Sequence, residues 1–486
     1  MEAETKSRKD GQLIDSGVPS MSDQQTGPRV RFPGGLAVTA AALAATVGAC
    51  SFEVVNPGPV EDDFLDGTDA HAAVVEGARR ALSEGLNTVA TTTSAVSREM
   101  FPSGSTGSFG ISNFQQEGII FWDDTHVSWT DQQQARFLAE DAVRRFAESE
   151  EVEDPGAYAL SAEAALLAGY ANRLLGENFC EAVIDGSEAQ PNTVFLTRAE
   201  EWFTEAITVG TAAGEQDIVD AATAGRASVR VDLGNWAGAV ADAQAVPDGF
   251  LYNAPYFPLE QVQFNRIFWA GAGQPYLSVS VWNTQWEDYY VATGDPRVPW
   301  QWEDLETGDV FDAFEDGPPA DDLDATKGDA AVAIVEDSIP NGSVPFFQQM
   351  KHASEGAPIA LSSKWEMNLI EAEASLLDGQ VGPAVDLMNE RRTDLGLPDL
   401  APATLEEAWT DLKRERGAEL WLQARRMNDI RRWQENSTPG ALSFHEDRDD
   451  PRSFLRDASR PGEAELCYPI PRNERESNPN LPLQPS

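Results

Sequence analysis

Glycine interrupts the apolar periodicity of this chain at the ends of successive runs, and that limits what it can fold into. Residues 158–175 are rich in Ala and Leu and end at Gly176. Residues 196–209 follow, with Ala199, Trp202, Phe203 and Ile207 at helical spacing. A third run, 222–233, stops at Gly234-Asn235, and Trp236-Ala237-Gly238-Ala239-Val240 opens a partner that ends near Pro247. The pattern returns at 364–377, breaks at Asp378-Gly379-Gln380 and resumes over 383–395. Apolar residues three and four apart line one face of a helix. A glycine at the end supplies the left-handed turn that stops it. Short breaks between such helices make antiparallel neighbours, and small residues let them approach closely. The fold class expected is therefore mostly α, built on helical hairpins.

These hairpins resemble tetratricopeptide units. Their spacing is uneven, so an ordinary antiparallel bundle fits the same pattern. Two helices are expected ahead of them. Residues 70–86 place Val74, Val75, Ala78 and Leu82 on one face. Residues 131–149 offer Phe137, Val143 and Phe146 as apolar contacts. Between them, Ser103-Gly104-Ser105-Thr106-Gly107-Ser108 is loop.

Residues 248–362 differ in composition. They hold Trp269, Trp282, Trp286, Trp300 and Trp302, with Tyr252, Tyr256, Tyr276, Tyr289 and Tyr290 and breakers such as Asp316-Gly317-Pro318-Pro319. A structureless insertion of this length is unusual in a compact domain. It reads as a second, irregular lobe on the helical scaffold. The organisation expected is a signal region 1–49, an N-terminal helical part 50–247, the insertion 248–362 and a C-terminal part 363–486, with a polar loop at 436–463.

The N-terminus gives the address. Arg29 and Arg31 precede an apolar run, 36–47. A spanning helix needs about 20 residues, so this run reads as a secretory signal. It closes with Val47-Gly48-Ala49-Cys50, which resembles the bacterial lipobox. Cys50 would then become the lipidated N-terminus and tether the chain to a membrane surface without crossing it. Translation from Met21 would retain everything the signal needs. The cleaved segment has balanced charge, so the mature chain keeps the full formal charge of -46, from 35 Lys+Arg and 81 Asp+Glu. Such a surface repels a polyanion, which argues against nucleic-acid partners. In an oxidising compartment Cys180 and Cys467 either form a disulfide or remain as buried thiols.

The C-terminal part carries an ordered set of motifs. They are Lys364-Trp365-Glu366-Met367-Asn368-Leu369-Ile370-Glu371-Ala372-Glu373-Ala374, then Arg414-Glu415-Arg416-Gly417-Ala418-Glu419-Leu420-Trp421-Leu422, then Arg425-Arg426-Met427-Asn428-Asp429-Ile430-Arg431-Arg432-Trp433. Tyr468-Pro469-Ile470-Pro471-Arg472-Asn473-Glu474 and Asn478-Pro479-Asn480 close the chain. With the Asp295-Pro296-Arg297 turn and Asn56-Pro57, this order resembles the SusD/RagB family of surface nutrient-binding lipoproteins. The resemblance covers about 50–486. It implies a SusD-like helical fold, a non-enzymatic role and an outer-membrane location. It also implies a SusC-type TonB-dependent transporter as partner, with a glycan or peptide as ligand. Physically, Arg414, Glu415, Arg416 and Glu419 read as the charged face of a helix. Arg425, Arg426, Arg431 and Arg432 around Asp429 read as an ion-pair cluster bracing the next helix.

Aromatic rings stack on the apolar faces of sugars, and neighbouring polar side chains read the hydroxyls. Trp282, Trp286 and Tyr289 lie in the densest such stretch, Trp282-Asn283-Thr284-Gln285-Trp286-Glu287-Asp288-Tyr289-Tyr290. Trp122 and Trp129 flank a second. Both stretches also fit plain core packing, the first as a core strand followed by a helix with Trp282, Trp286 and Tyr290 stacked inward at a spacing of four. No Gly-x-Ser-x-Gly elbow, His-Glu-x-x-His or Walker loop is present. His71, His126, His352 and His445 are scattered. Neither a catalytic group nor a cofactor or metal is expected. Acidic loops at Asp316 and Asp321-Asp322 could hold calcium, but no twelve-residue calcium loop occurs. A helical scaffold that binds only proteins, or a glycoside hydrolase, is the alternative function. The scaffold would keep the Trp-rich insertion packed rather than open.

Overall fold

A computed structural model describes residues 62–103, 111–272, 277–328, 344–442, 462–464 and 466–484. Cys50, Met21, the signal region, Tyr276 and His445 lie outside the described residues. Helix α1 spans Thr68–Val96, α2 His126–Glu148, α3 Ala159–Asn178, α4 Thr193–Ala213, α5 Gln216–Asp232 and α6 Trp236–Ala245. Within the insertion come β1 (Leu251–Ala254), α7 (Arg266–Ala272), α8 (Gln285–Thr293), β2 (Trp300–Glu303), β3 (Val310–Asp312), β4 (Phe347–Gln349) and β5 (Ile359–Ser363). The C-terminal part adds α9 (Lys364–Leu377), α10 (Val381–Asp394), α11 (Leu405–Glu419), α12 (Arg426–Glu435) and α13 (Arg472–Ser477). Residues 59–486 form one compact unit.

Helix α1 runs ten residues beyond the apolar pattern that suggested 70–86. Its second half is Thr-rich and buried. The run looks unfavourable for a helix because β-branched side chains are stiff and their hydroxyls compete with the backbone. Here the hydroxyls bond back one turn: Thr91 Oγ1 donates to Asn87 O and Thr93 Oγ1 to Val89 O, each at 2.8 Å. Satisfied in this way, a threonine can be buried. Helix α2 starts five residues earlier than expected, and Phe137 does not pack. Trp129, Gln132, Ala135, Arg136, Ala139, Ala142 and Phe146 form the inward face, and Phe137 is 54% exposed on the other side.

The hairpins α3–α4, α5–α6 and α9–α10 form as expected. Gly214 and Gly234 take the left-handed conformation that ends a helix. Gly176 does not. It lies inside α3, and a Cβ there would sit 2.5 Å from Leu196 Cδ2, so its role is close approach of α4. The same logic seats Phe203 of α4, whose ring passes within 2.6 Å of the Cβ positions of both Gly169 on α3 and Gly225 on α5.

The insertion leaves and rejoins the scaffold through one antiparallel ladder. Strand β1 pairs with β5, Ala254 opposite Ile359 and Leu251 opposite Ser363. Ser363 then caps α9, its hydroxyl accepting from Glu366 N at 3.2 Å. Inside the insertion, β3-β2-β4 make a three-stranded sheet. Trp300 is fully buried and stacks on Phe347 at 4.5 Å between centroids.

Buried charge joins the scaffold to the C-terminal part. Arg425, just before α12, bonds Glu366 of α9 at 2.9 Å and Glu177 of α3 at 3.2 Å. Arg416 of α11 reaches Asp429 at 2.8 Å, and Arg432 holds Glu373 of α9 at 2.5 Å and Asp429 at 3.2 Å. Asn428 Nδ2 donates to Asp232 of α5 at 2.9 Å. The expected cluster around Asp429 is thus present and buried for Arg425 and Arg432, while Arg431 donates instead to the main-chain oxygens of Glu177 and Leu466, each at 3.1 Å, and Arg426 lies over the Trp286 ring. Burial pushes the Asp429 carboxyl up, but Arg416, Arg432 and Arg425 outweigh it and hold it below the usual range. Glu177 goes the other way: burial raises it to about 7, against Arg425 and Arg173. The charged face expected on α11 is not a solvated one. Glu415, Arg416 and Glu419 are buried, and their partners come from other elements.

Cys180 and Cys467 are bonded to each other, 5.1 Å apart at Cα and 287 residues apart in sequence. The bond fastens the end of α3 to the extended C-terminal segment, where Cys180 N also donates to Tyr468 O at 3.0 Å.

Two outcomes follow from these ties. Asp429→Asn leaves Arg416 and Arg432 buried beside a neutral group, and removing one partner of a buried pair costs about 3–5 kcal/mol. Denaturant unfolding should show that loss, whereas Arg414→Gln, on the half-exposed side of α11, should cost less than about 1 kcal/mol. Cys180→Ser/Cys467→Ser should lower stability by about 2–4 kcal/mol, and a reductant should leave that double variant's melting point unmoved while lowering the parent's.

Candidate functional site

Five aromatics are candidates from sequence, and the structure brings only part of the set to a surface. Trp286 is 1% exposed, beneath α8, with Trp421 at 6.3 Å and the Arg426 guanidinium over its ring at 6.0 Å. Trp129 is buried edge-on to Phe179 at 5.1 Å, and its Nε1 donates to Glu474 at 3.3 Å. Trp122 is buried between Gly462 and the Arg472 guanidinium, which sits 4.8 Å from its ring. These three rings offer no free face, and they are corrected from ligand contacts to core residues. The i, i+4 spacing of Trp286 and Tyr290 was the signal, since both fall on the inward face of one helix.

Tyr289 is half-buried and works behind the surface. Its hydroxyl donates to Asp295 Oδ2 at 3.0 Å. Asp295 also takes the Arg297 Nε at 3.0 Å and Nη2 at 2.7 Å. Arg297 continues to Glu415 of α11 at 2.6 Å, and Arg392 of α10 meets the other Glu415 oxygen at 2.6 Å. The Asp295-Pro296-Arg297 turn therefore locks α8 to the C-terminal helices. Burial pushes the Asp295 carboxyl up, yet the Arg297 guanidinium more than offsets it and holds it low.

Trp282 is different. It follows the short strand Val279–Ser280, which pairs with Phe101–Pro102. Ser280 Oγ accepts from Trp282 N at 3.1 Å and from Phe347 N at 2.8 Å, which ties the ring's base to β4. Phe101 is edge-on to the indole at 5.3 Å. At the outer end Nε1 donates to the exposed Asp322 at 2.9 Å. Asn283 is left-handed at φ 59, a conformation asparagine tolerates, and its N donates to Glu287 Oε2 at 2.5 Å. The outcome is a half-open indole ledge with its rotamer fixed at both ends. Asn283, Glu287 and Asp322 stand beside it. A flat apolar ring flanked by an amide and carboxylates suits a molecule with an apolar face and a rim of hydroxyls.

Sequence reasoning named Asp322 only as part of an acidic loop and missed Phe101, because each reaches Trp282 only through the fold. It also missed a concavity along α1. A cavity of about 340 Å³ is lined by Glu84, Thr88, Asp131, Arg266 and Trp269, and it shares Thr88 and Arg266 with a neighbour of about 240 Å³. Among the described residues no group of His, Cys, Asp and Glu is placed to hold a metal ion, and no helix is long and apolar enough to cross a membrane.

Comparison with known proteins gives a family match over the C-terminal part and a fold. The model of the SusD family matches residues 366–485. No curated protein matches the sequence. Solved structures match over nearly the whole chain. A SusD-like protein from Bacteroides fragilis is 14% identical, with a TM-score of 0.59, over 87% of this chain and 98% of its own. A SusD superfamily protein from Bacteroides vulgatus is 14% identical, with a TM-score of 0.57, over 85% and 98%. Surface glycan-binding protein A from Bacteroides uniformis is 14% identical, with a TM-score of 0.53, over 86% and 99%. At these identities the structures show the SusD-like fold.

The two tryptophans of the α8 stretch should separate cleanly. Trp286→Ala empties a core site and should cost about 3–5 kcal/mol. Trp282→Ala removes a half-open ring and should melt much closer to the parent. Equal losses in a thermal melt would mean that Trp282 is core as well.

Proposed function

We propose, for a chain that belongs to the SusD/RagB family, that it is a surface nutrient-binding lipoprotein. It captures a glycan on the Trp282 ledge and delivers it to a SusC-type TonB-dependent transporter in the outer membrane. Lipid on Cys50 tethers it there. It binds without catalysing turnover. The observation that carries the reading is the indole of Trp282, held half-open by Asp322 and flanked by Asn283 and Glu287. Support comes from the fold shared with a protein described as surface glycan-binding. The chain's formal charge of -46 favours neutral polysaccharides over polyanionic ones.

A second reading has one observation behind it. Trp286 and Trp300 are packed in the insertion, as a protein-binding scaffold would have them. Trp269, Trp282 and Trp302 remain half-buried at its surface, which favours the glycan reading.

Native gels cast with neutral polysaccharides test the proposal. The mature protein should be retarded by at least one polymer and release no reducing ends. Trp282→Ala should weaken that retention on the order of tenfold, the worth of a stacked aromatic contact. Retention unchanged in Trp282→Ala would move the site elsewhere. Release of reducing ends would overturn the binder reading in favour of a hydrolase.

A further inference from the structure

A separate cavity of about 380 Å³ opens where three parts of the chain meet. Phe250 and Leu251 come from the start of the insertion. Arg297 and Lys351 come from its interior. Arg391 and Glu419 come from α10 and α11. Its volume lies at the lower end of the range for small-molecule sites.

The polar groups are unequally satisfied. Both carboxylate oxygens of Glu419 are taken by Arg391, at 3.0 Å to Nε and 3.0 Å to Nη2. Arg391 is itself fixed by stacking on Trp365 at 4.6 Å. Arg297 is committed to Asp295 and Glu415. Lys351 is not committed in this way. Its ammonium donates to the main-chain oxygen of Glu419 at 2.9 Å, and among the described residues no carboxylate lies within 4 Å of it. The turn that carries it is rigid: Gln349 Nε2 donates to His352 O at 2.8 Å, and His352 N donates back to Gln349 Oε1 at 2.9 Å. A lysine held against a cavity wall with N–H groups to spare is a donor waiting for an anion.

We infer that this cavity binds a small carboxylate-bearing molecule, its carboxylate on the Lys351 ammonium and its body against Phe250 and Leu251. The charge balance supports a small anion only. Arg391 is neutralised by Glu419 and Arg297 by Asp295 and Glu415, so among the lining cations Lys351 is left without a carboxylate partner among the described residues, in a chain whose charge of -46 would repel a polyanion. The same chemistry is carried by a uronic-acid sugar and by the C-terminal end of a short peptide. The site is distinct from the Trp282 ledge, and it stands or falls independently of glycan stacking there.

The groups facing Lys351 are Glu419 from α11, Glu99 from the turn after α1, Arg297 and Arg391. Burial lowers the Lys351 ammonium to about 8, with Glu419 and Glu99 acting against that shift. Carboxylate binding should therefore weaken as pH rises through about 8.

Titration calorimetry on the full mature chain tests this with matched pairs: glucuronate against glucose, and diglycine against diglycinamide. At least one carboxylate should bind while its neutral partner does not, and which one binds identifies the source. Lys351→Met should weaken it on the order of tenfold, the worth of a charged hydrogen bond. Leu251→Glu places a like charge at the exposed mouth without touching the core, so it should weaken the same ligand even if Lys351→Met folds poorly. Binding of neither carboxylate, or equal binding by the parent and Leu251→Glu, would overturn the inference.

Discussion

Arg425, Asp429 and Arg432 hold the molecule together around one short helix. Through them α12 reaches Glu177 on α3, Glu366 and Glu373 on α9, and Arg416 on α11. These elements come from distant parts of the sequence, and side-chain charge dictates how they meet. A buried ion pair is weak evidence for stability, because desolvation opposes the attraction. What such a network supplies is register. Arg432 must find both Glu373 and Asp429, and a shift of α12 by one residue would strand several charges in the core. Trp433 adds a donor to the same Glu373 oxygen at 2.8 Å, which narrows the geometry further.

The insertion depends on that frame through a second relay. Arg297 links Asp295 to Glu415, and Tyr289 closes the chain back to α8. Strand β5 runs directly into α9, so the ladder with β1 is also referred to the same helix. Along the chain Trp282 lies between β1 and the Tyr289–Arg297 relay. Its backbone is fixed by Ser280 and its indole by Asp322. A side chain held at both ends loses little conformational freedom on meeting a ligand, which is how a shallow ledge can still bind.

The helical scaffold was legible because it rests on periodicity, and periodicity is local. The α5–α6 and α9–α10 hairpins fall close to where their glycines and apolar runs put them. The misses share one cause: a local pattern whose meaning is set by distant partners. The apolar pattern of α1 fades after Leu86, and burial forces the hydroxyls of Thr88 to Thr93 back onto a helix that continues. Gly176 reads as a terminator until Leu196 is brought against it. Glu415 and Glu419 read as a charged face paired along its own helix until Arg297, Arg391 and Arg392 arrive from other elements. The aromatic candidates show the same limit. Sequence marks Trp122, Trp129, Trp282 and Trp286 as rings with polar neighbours, and only the fold leaves Trp282 half-open. Cys180 and Cys467 could be named as a pair but not placed together, since 287 residues separate them.

The central claim is that this chain works as the binding half of an uptake complex. Its most direct test is a gentle detergent extraction of the tagged lipoprotein from its own outer membrane, with identification of what accompanies it. The account predicts a large β-barrel transporter in roughly equal amount. Recovery of the protein alone, in several detergents and at high yield, would contradict it.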